Sequence, residues 1–174
     1  GGKVSFHHHD VVGAKLARKR LTALRFSGED VKAVSDLIAL HLRFHGYAGG
    51  QDHGEAWSDA AVRRYVRDAG DQLARLHVLT RADCTTRDVA KAERLRRAYD
   101  HLEDRIAELA AQEELDAIRP DLNGTQIMET LGIPQGRDVG RAYAFLLERR
   151  IEEGPLGEDR AREQLLRWWA DQRS

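Results

Sequence analysis

The chain has three prolines and one cysteine in 174 residues. A single thiol excludes an internal disulfide and suits a reducing compartment, so the expected location is the cytoplasm. No apolar run approaches the ~18 residues of a membrane span. No signal-peptide pattern is visible either, and no membrane partner is expected. No stretch alternates at period two, which argues against a sheet. A P-loop, a dinucleotide glycine fingerprint and a G-x-S-x-G elbow are all missing. Cys84 has neither a helix start directly before it nor an evident base beside it, so a thiol nucleophile is not expected. The chain opens Gly1-Gly2-Lys3 without methionine, which reads as an excised or incomplete piece.

What is present is helix-forming. Apolar residues make up 41% and charged residues 33%, a balance suited to helices with one buried stripe and a wide wet face. The expected class is all-α, a helical bundle. Net charge is −1, so its distribution is more informative than its total. From Val11 to Arg25 there are five cations (Lys15, Arg18, Lys19, Arg20, Arg25) and no acid, whereas Glu103 to Asp116 carries six acids and one arginine. The basic stretch suits a polyanion, or is a solvated helix face.

The periodicity predicts a first helix over about 8–24, with Val12, Leu16 and Leu24 on one face. A second starts at Ser27, whose hydroxyl can cap and whose Asp30 favours the first turn. Val31, Val34, Ile38, His41 and His45 come next at steps of three and four. After Gly46 comes a Gly-containing loop with Asp52, His53 and Glu55. Ser58 caps the next helix, Gly70 breaks it, and another covers about 71–83. Thr85 or Thr86 starts a long helix in which Ala92, Leu95, Tyr99, Leu102, Ile106 and Leu109 form a heptad-like seam. Pro120 to Gly124 is a break. Helices then run over about 125–131, 138–153 and 158–172.

Three adjacent histidines, His7 to His9, enter the first helix, and His41 and His45 are one turn apart on the second. Asp83 ends a later helix. Neutral imidazole and carboxylate are the donors that zinc, manganese and iron select. His41 lies on an apolar stripe, where an imidazole is more often a core residue than a ligand. Asp83 could instead cap the long helix after it.

In order, His9-x-x-x-Gly13-Ala14, Phe44-His45 and Arg81-Ala82-Asp83 resemble the later motifs of the HD metal-dependent phosphohydrolase superfamily. More specifically, Phe6-His7-His8-His9-Asp10-Val11-Val12-Gly13-Ala14, His41-Leu42-Arg43-Phe44-His45-Gly46-Tyr47, Leu79-Thr80-Arg81-Ala82-Asp83-Cys84-Thr85-Thr86-Arg87, Leu122-Asn123-Gly124-Thr125-Gln126-Ile127-Met128 and Leu131-Gly132-Ile133-Pro134 resemble the C-terminal half of HD-containing, actinobacterial-type CCA-adding tRNA nucleotidyltransferases. The resemblance implies a partial HD-type helical domain over 1–86, a long connecting helix over 87–119 and a tRNA-binding region over 120–174. It implies tRNA as partner. CTP, ATP and Mg2+ would be handled by a separate catalytic head that nothing here matches. The superfamily's His-Asp dyad is also not found, so His9, His45 and Asp83 are implied as an incomplete set binding a divalent metal weakly, and no catalytic residue is assigned.

For tRNA phosphates the candidate contacts are Arg18, Lys19 and Arg20, then Arg63, Arg64 and Arg67, then Arg94 and Arg97, with Arg137 at a helix start. Trp168 and Trp169 could stack on bases or pack in the core. Two alternatives stay open: a metal-dependent phosphohydrolase acting on phosphate esters, and a helical interaction module without an enzyme partner.

Overall fold

A computed structural model describes residues 8–44, 58–83, 88–113 and 118–172. Among them are α1 (His9–Ala23), α2 (Gly28–Leu40), α3 (Asp59–Ala69), α4 (Leu73–Asp83), α5 (Val89–Gln112), α6 (Gly124–Leu131), α7 (Arg137–Glu153) and α8 (Glu158–Asp171). A 3-10 turn, Gly70–Gln72, joins α3 to α4. No described residue is in a strand, and the all-α expectation holds.

Local chemistry accounts for most helix ends. The Ser27 hydroxyl accepts the Asp30 amide at 3.0 Å, as the sequence suggested, and Ser58 accepts the Ala61 amide. Asp88 accepts the Lys91 amide and so caps α5; Thr85 and Thr86 lie outside the described residues. Asn123 and Gln126 form a reciprocal capping box at the start of α6, satisfying two amides that a helix end leaves unpaired. Gly132, at φ +63°, ends α6 in the left-handed region where a side chain is strained.

The chain divides into two compact units. One takes Gly1–Trp57 and Tyr65–Ala107, the other Ser58–Arg64 and Glu108–Ser174. The two units each take part of α3 and part of α5.

In the first unit α1 and α2 form a close hairpin turned at Leu24 and Arg25, where Arg25 adopts φ +60°. A Cβ at Gly13 would come within 3.1 Å of Ile38 Cγ2, so the glycine lets the two helices approach. Small and half-buried residues (Gly13, Ala14, Ala17, Leu21) face inward on α1, and no α1 residue is fully buried. Val12, Leu16 and Leu24, expected to share a face, are all exposed. The buried residues here include Val31, Phe44, Tyr65, Val66, Leu76, Leu95, Tyr99 and Leu102. Phe44 stacks on Tyr99 with centroids 4.0 Å apart. Arg81 holds α4 to α5 by donating to Asp100 and Glu103.

His77 lies in that packing. Its ring stacks on Tyr65 at 5.8 Å, and Nδ1 is 3.5 Å from Glu103. Burial pushes its pKa down, Glu103 opposes this and the Arg81 charge adds to it. The folded state therefore favours neutral His77 more than the unfolded chain does.

The second unit has a core of Leu122, Ile127, Ala142, Leu146, Ala161 and Leu165, flanked by Leu131, Val139, Phe145, Leu156 and Trp168. The Asp121 carboxylate accepts the backbone amides of Leu156 and Gly157, clipping the Pro120–Gly124 break to the start of α8. Beside this core is a buried charge cluster. Glu113, with its side chain 4% exposed, accepts hydrogen bonds from Arg63 Nε and Nη2 at 3.0 and 2.8 Å, and also pairs with Arg150. Arg63 Nη1 donates to the Ile151 carbonyl. Burial alone would raise the Glu113 pKa; the hydrogen bonds from Arg63 and Arg150 outweigh it and hold the carboxylate ionised. Gly154 closes α7 at φ +82°, and a Cβ there would be 3.0 Å from Arg63 Nη2.

Glu113→Ala leaves two buried guanidiniums without their anion and is expected to cost about 3–5 kcal/mol in urea unfolding; a loss below about 1 kcal/mol would contradict the cluster's role. For His77, the unfolded chain binds more protons once pH falls below its ordinary value near 6.5, so stability falls as pH drops from there. His77→Phe, which keeps a ring on Tyr65, should flatten the pH dependence of the thermal midpoint between about pH 7 and 5.

Candidate nucleic-acid interface and histidine–aspartate cluster

Two features of the described residues have chemical potential. The first is where α1, the end of α2 and the end of α4 meet within the first unit. The His9 and His41 rings pack edge to face with centroids 5.3 Å apart, and His41 Nε2 is 3.9 Å from Asp83 Oδ2. His41 follows the last residue of α2, where backbone carbonyls lack helical partners. Its Nδ1 is 2.6 Å from the Ile38 carbonyl. A carbonyl only accepts, so Nδ1 carries the hydrogen, and in the neutral ring Nε2 has its lone pair on the Asp83 side. A second ring nitrogen tied to a backbone carbonyl is also how metal-ligating histidines are oriented.

The set is nevertheless partial. Two donors at about 2.1 Å on a tetrahedral centre stand about 3.4 Å apart, closer than His41 and Asp83 do. Among the described residues no group of three or more His, Cys, Asp or Glu side chains is arranged to hold a metal ion. His9 and Asp83 are brought together with His41, the histidine that the sequence favoured as a core residue. His45 lies outside the described residues. The signal for His41 was its position at the helix end, which supplies the free carbonyl.

The second feature is the distribution of unpaired cations. Most surface arginines have an acid within reach. Arg64 pairs with Glu148 and Glu152, Arg67 with Asp68, Arg97 with Glu93 and Arg81 with Asp100 and Glu103. Arg63 is internal, its guanidinium taken by Glu113 and the Ile151 carbonyl, so no phosphate can reach it. Arg94 and Arg137 are exposed. On α1 the pattern differs in kind. Lys15, Arg18, Lys19 and Arg20, followed by Arg25, are all exposed, and among the described residues none of the five has an ion-pair partner.

The aromatic candidates sit in the second unit. Trp168 stacks on Phe145 with centroids 4.9 Å apart and has the Arg141 guanidinium 5.9 Å from its ring centroid, so its ring is already engaged within the unit. Trp168 and Trp169 are each half-buried.

Similarity to known proteins bears on both features. The chain is 33% identical over 173 residues to an A-adding tRNA nucleotidyltransferase of Deinococcus radiodurans, covering 98% of this chain and 37% of that protein. It is 32% identical over 170 residues to a CC-adding tRNA nucleotidyltransferase of Thermus thermophilus, covering 96% of this chain and 35% of that protein. Both of these relatives are named as tRNA nucleotidyltransferases. The chain spans about a third of the length of these curated relatives. No family model and no solved structure matches it. No helix among the described residues is long and apolar enough to cross a membrane.

Proposed function

We propose that this chain is a tRNA-binding helical portion of a tRNA nucleotidyltransferase, and that nucleotidyl transfer is carried by another part of the whole protein. The observation that carries the reading is the α1 stretch, where, among the described residues, five cations stand without acids while the other arginines are largely paired. Cations already matched to a carboxylate gain little from a phosphate; unmatched ones gain the counterion release that drives nucleic-acid binding. The two relatives support a shared task. One is named for adding A and the other for adding CC, yet this chain is nearly as similar to each. A region common to both suits holding the tRNA better than choosing the nucleotide. In this reading the whole protein would extend the tRNA 3′ end from CTP and ATP with Mg2+ bound by its catalytic part. Arg94 and Arg137 would add contacts to those of Arg18, Lys19 and Arg20.

The test is anisotropy of a labelled tRNA transcript against salt. Binding at low salt is expected, with the logarithm of affinity falling linearly with the logarithm of salt concentration. Replacing Lys15, Arg18, Lys19 and Arg20 by alanine should lower the magnitude of that slope by roughly 3–4, about one per lost phosphate contact. Absence of binding at low salt, or an unchanged slope in the variant, would sink the reading.

A second reading is the weak divalent-cation set that the resemblance implies, His9, His45 and Asp83, of which His9 and Asp83 both lie beside His41. Mn2+ titration followed by electron paramagnetic resonance should show weak binding that His45→Ala and Asp83→Asn each reduce. The exposed His101→Ala should leave it unchanged, and equal binding by all four proteins would rule the site out.

A further inference from the structure

The cations of α1 do not stand on a polar helix. Val12 and Leu16 lie one turn apart and are 53% and 62% exposed. Lys15 and Lys19 are three residues on from each, and Arg20 is four on from Leu16, so cation and apolar side chains are surface neighbours. Single exposed apolar residues are ordinary. An adjacent pair of branched apolar residues set among unpaired cations is a surface of mixed chemistry, and it narrows what binds there.

We propose that this face takes RNA at a point where a nucleotide is unstacked. Lys15, Arg18, Lys19 and Arg20 meet the phosphates, and Val12 and Leu16 pack against the exposed base or ribose. The inference rests on the RNA-binding reading given above and adds the class of RNA structure. A regular RNA duplex presents phosphates and 2′-hydroxyls across a shallow groove, with base faces stacked inside. It would engage the cations and leave both apolar side chains wet. A loop or a single-stranded end splays base faces into reach, so the apolar pair gains burial there and only there. An anionic membrane also combines negative charge with apolar depth. Membrane-surface helices, however, use a broad wedge with large aromatic or leucine side chains; within α1 the large exposed apolar side chains are two valines and one leucine, and the exposed Leu24 and Phe26 belong to the turn that follows it.

The test uses the full chain and two fluorescein-labelled RNAs, a hairpin of about 12 base pairs with a loop of about seven nucleotides and a blunt duplex of the same pairs. Vesicles containing phosphatidylserine form a third arm. The wild-type chain should bind the hairpin more tightly than the duplex. The double variant Val12→Ser/Leu16→Ser should lose about tenfold on the hairpin while its duplex affinity and salt slope stay unchanged. Lys15→Ala/Lys19→Ala should weaken both RNAs and reduce the slope by about 2. Both apolar positions are exposed, so the fold should survive; Val12→Ala/Leu16→Ala, expected to show a smaller loss in the same direction, covers the case in which the serines lower the melting temperature. Unchanged hairpin affinity in the apolar variants, or equal loss on both RNAs, overturns the inference and leaves the RNA-binding reading standing. Vesicle binding that depends on Val12 and Leu16 while RNA binding does not assigns the face to a membrane and also overturns it. Failure of the wild-type chain to bind either RNA removes the inference together with the reading beneath it.

Discussion

Glu113 binds two guanidiniums inside the second unit, and much of that unit's geometry depends on it. Three charges out of water are costly, and their attraction offsets the cost only when hydrogen bonding is nearly complete. Here it is extensive. One carboxylate oxygen takes two donors from Arg63, the other pairs with Arg150, and Arg63 gives a further donor to the Ile151 carbonyl. The start of α3, the residue after α5 and the last turn of α7 are thereby fixed by directional contacts. Hydrophobic packing alone tolerates sliding; a guanidinium fork on a carboxylate does not.

This matching of charge gives α1 its meaning. Throughout both units, arginine usually has an acid at hand, often on another helix of the same unit. Such cations are structural in effect, whatever their exposure. Exposure alone is therefore a poor guide to which basic residues bind a partner, and the absence of an internal anion is a better one. By that criterion Arg64 and Arg67 are less available than their accessibility suggests, and the α1 cations are more so.

The helices were largely legible because their signals are local. Ser27, Ser58, Gly70, Asn123 and Gly132 act within one turn of themselves, and the Leu95, Tyr99, Leu102 and Leu109 seam comes from spacing alone. The tertiary polar contacts were not legible. Glu113 read only as one of six acids between Glu103 and Asp116, because its partners are 50 and 37 residues away. Arg63 read as a phosphate contact for the same reason, since a basic residue flanked by Arg64 on a helix gives no hint that it points inward. His41 read as a core residue, and its side chain is 12% exposed. Its place on an apolar stripe was correctly seen, but the stripe ends there, and the neighbouring carbonyl turns the ring toward Asp83. The exposure of Val12 and Leu16 was hidden because α1 faces α2 through Gly13, Ala14 and Ala17, residues too small to register as a stripe.

Gly154 joins backbone and charge in a way that bears on how this sequence can drift. A side chain there would be strained at φ +82° and would also press on Arg63 Nη2. A guanidinium usually swings aside from such a contact at little cost. This one cannot, being held by Glu113 and by the Ile151 carbonyl. Substitution at a residue without charge or side chain would thus be filtered by an ion pair centred more than forty positions earlier in the chain. Beyond the strain at φ +82°, drift at 154 would also require prior change at 63 or 113, an order of events imposed by geometry rather than by chemistry at the mutated site.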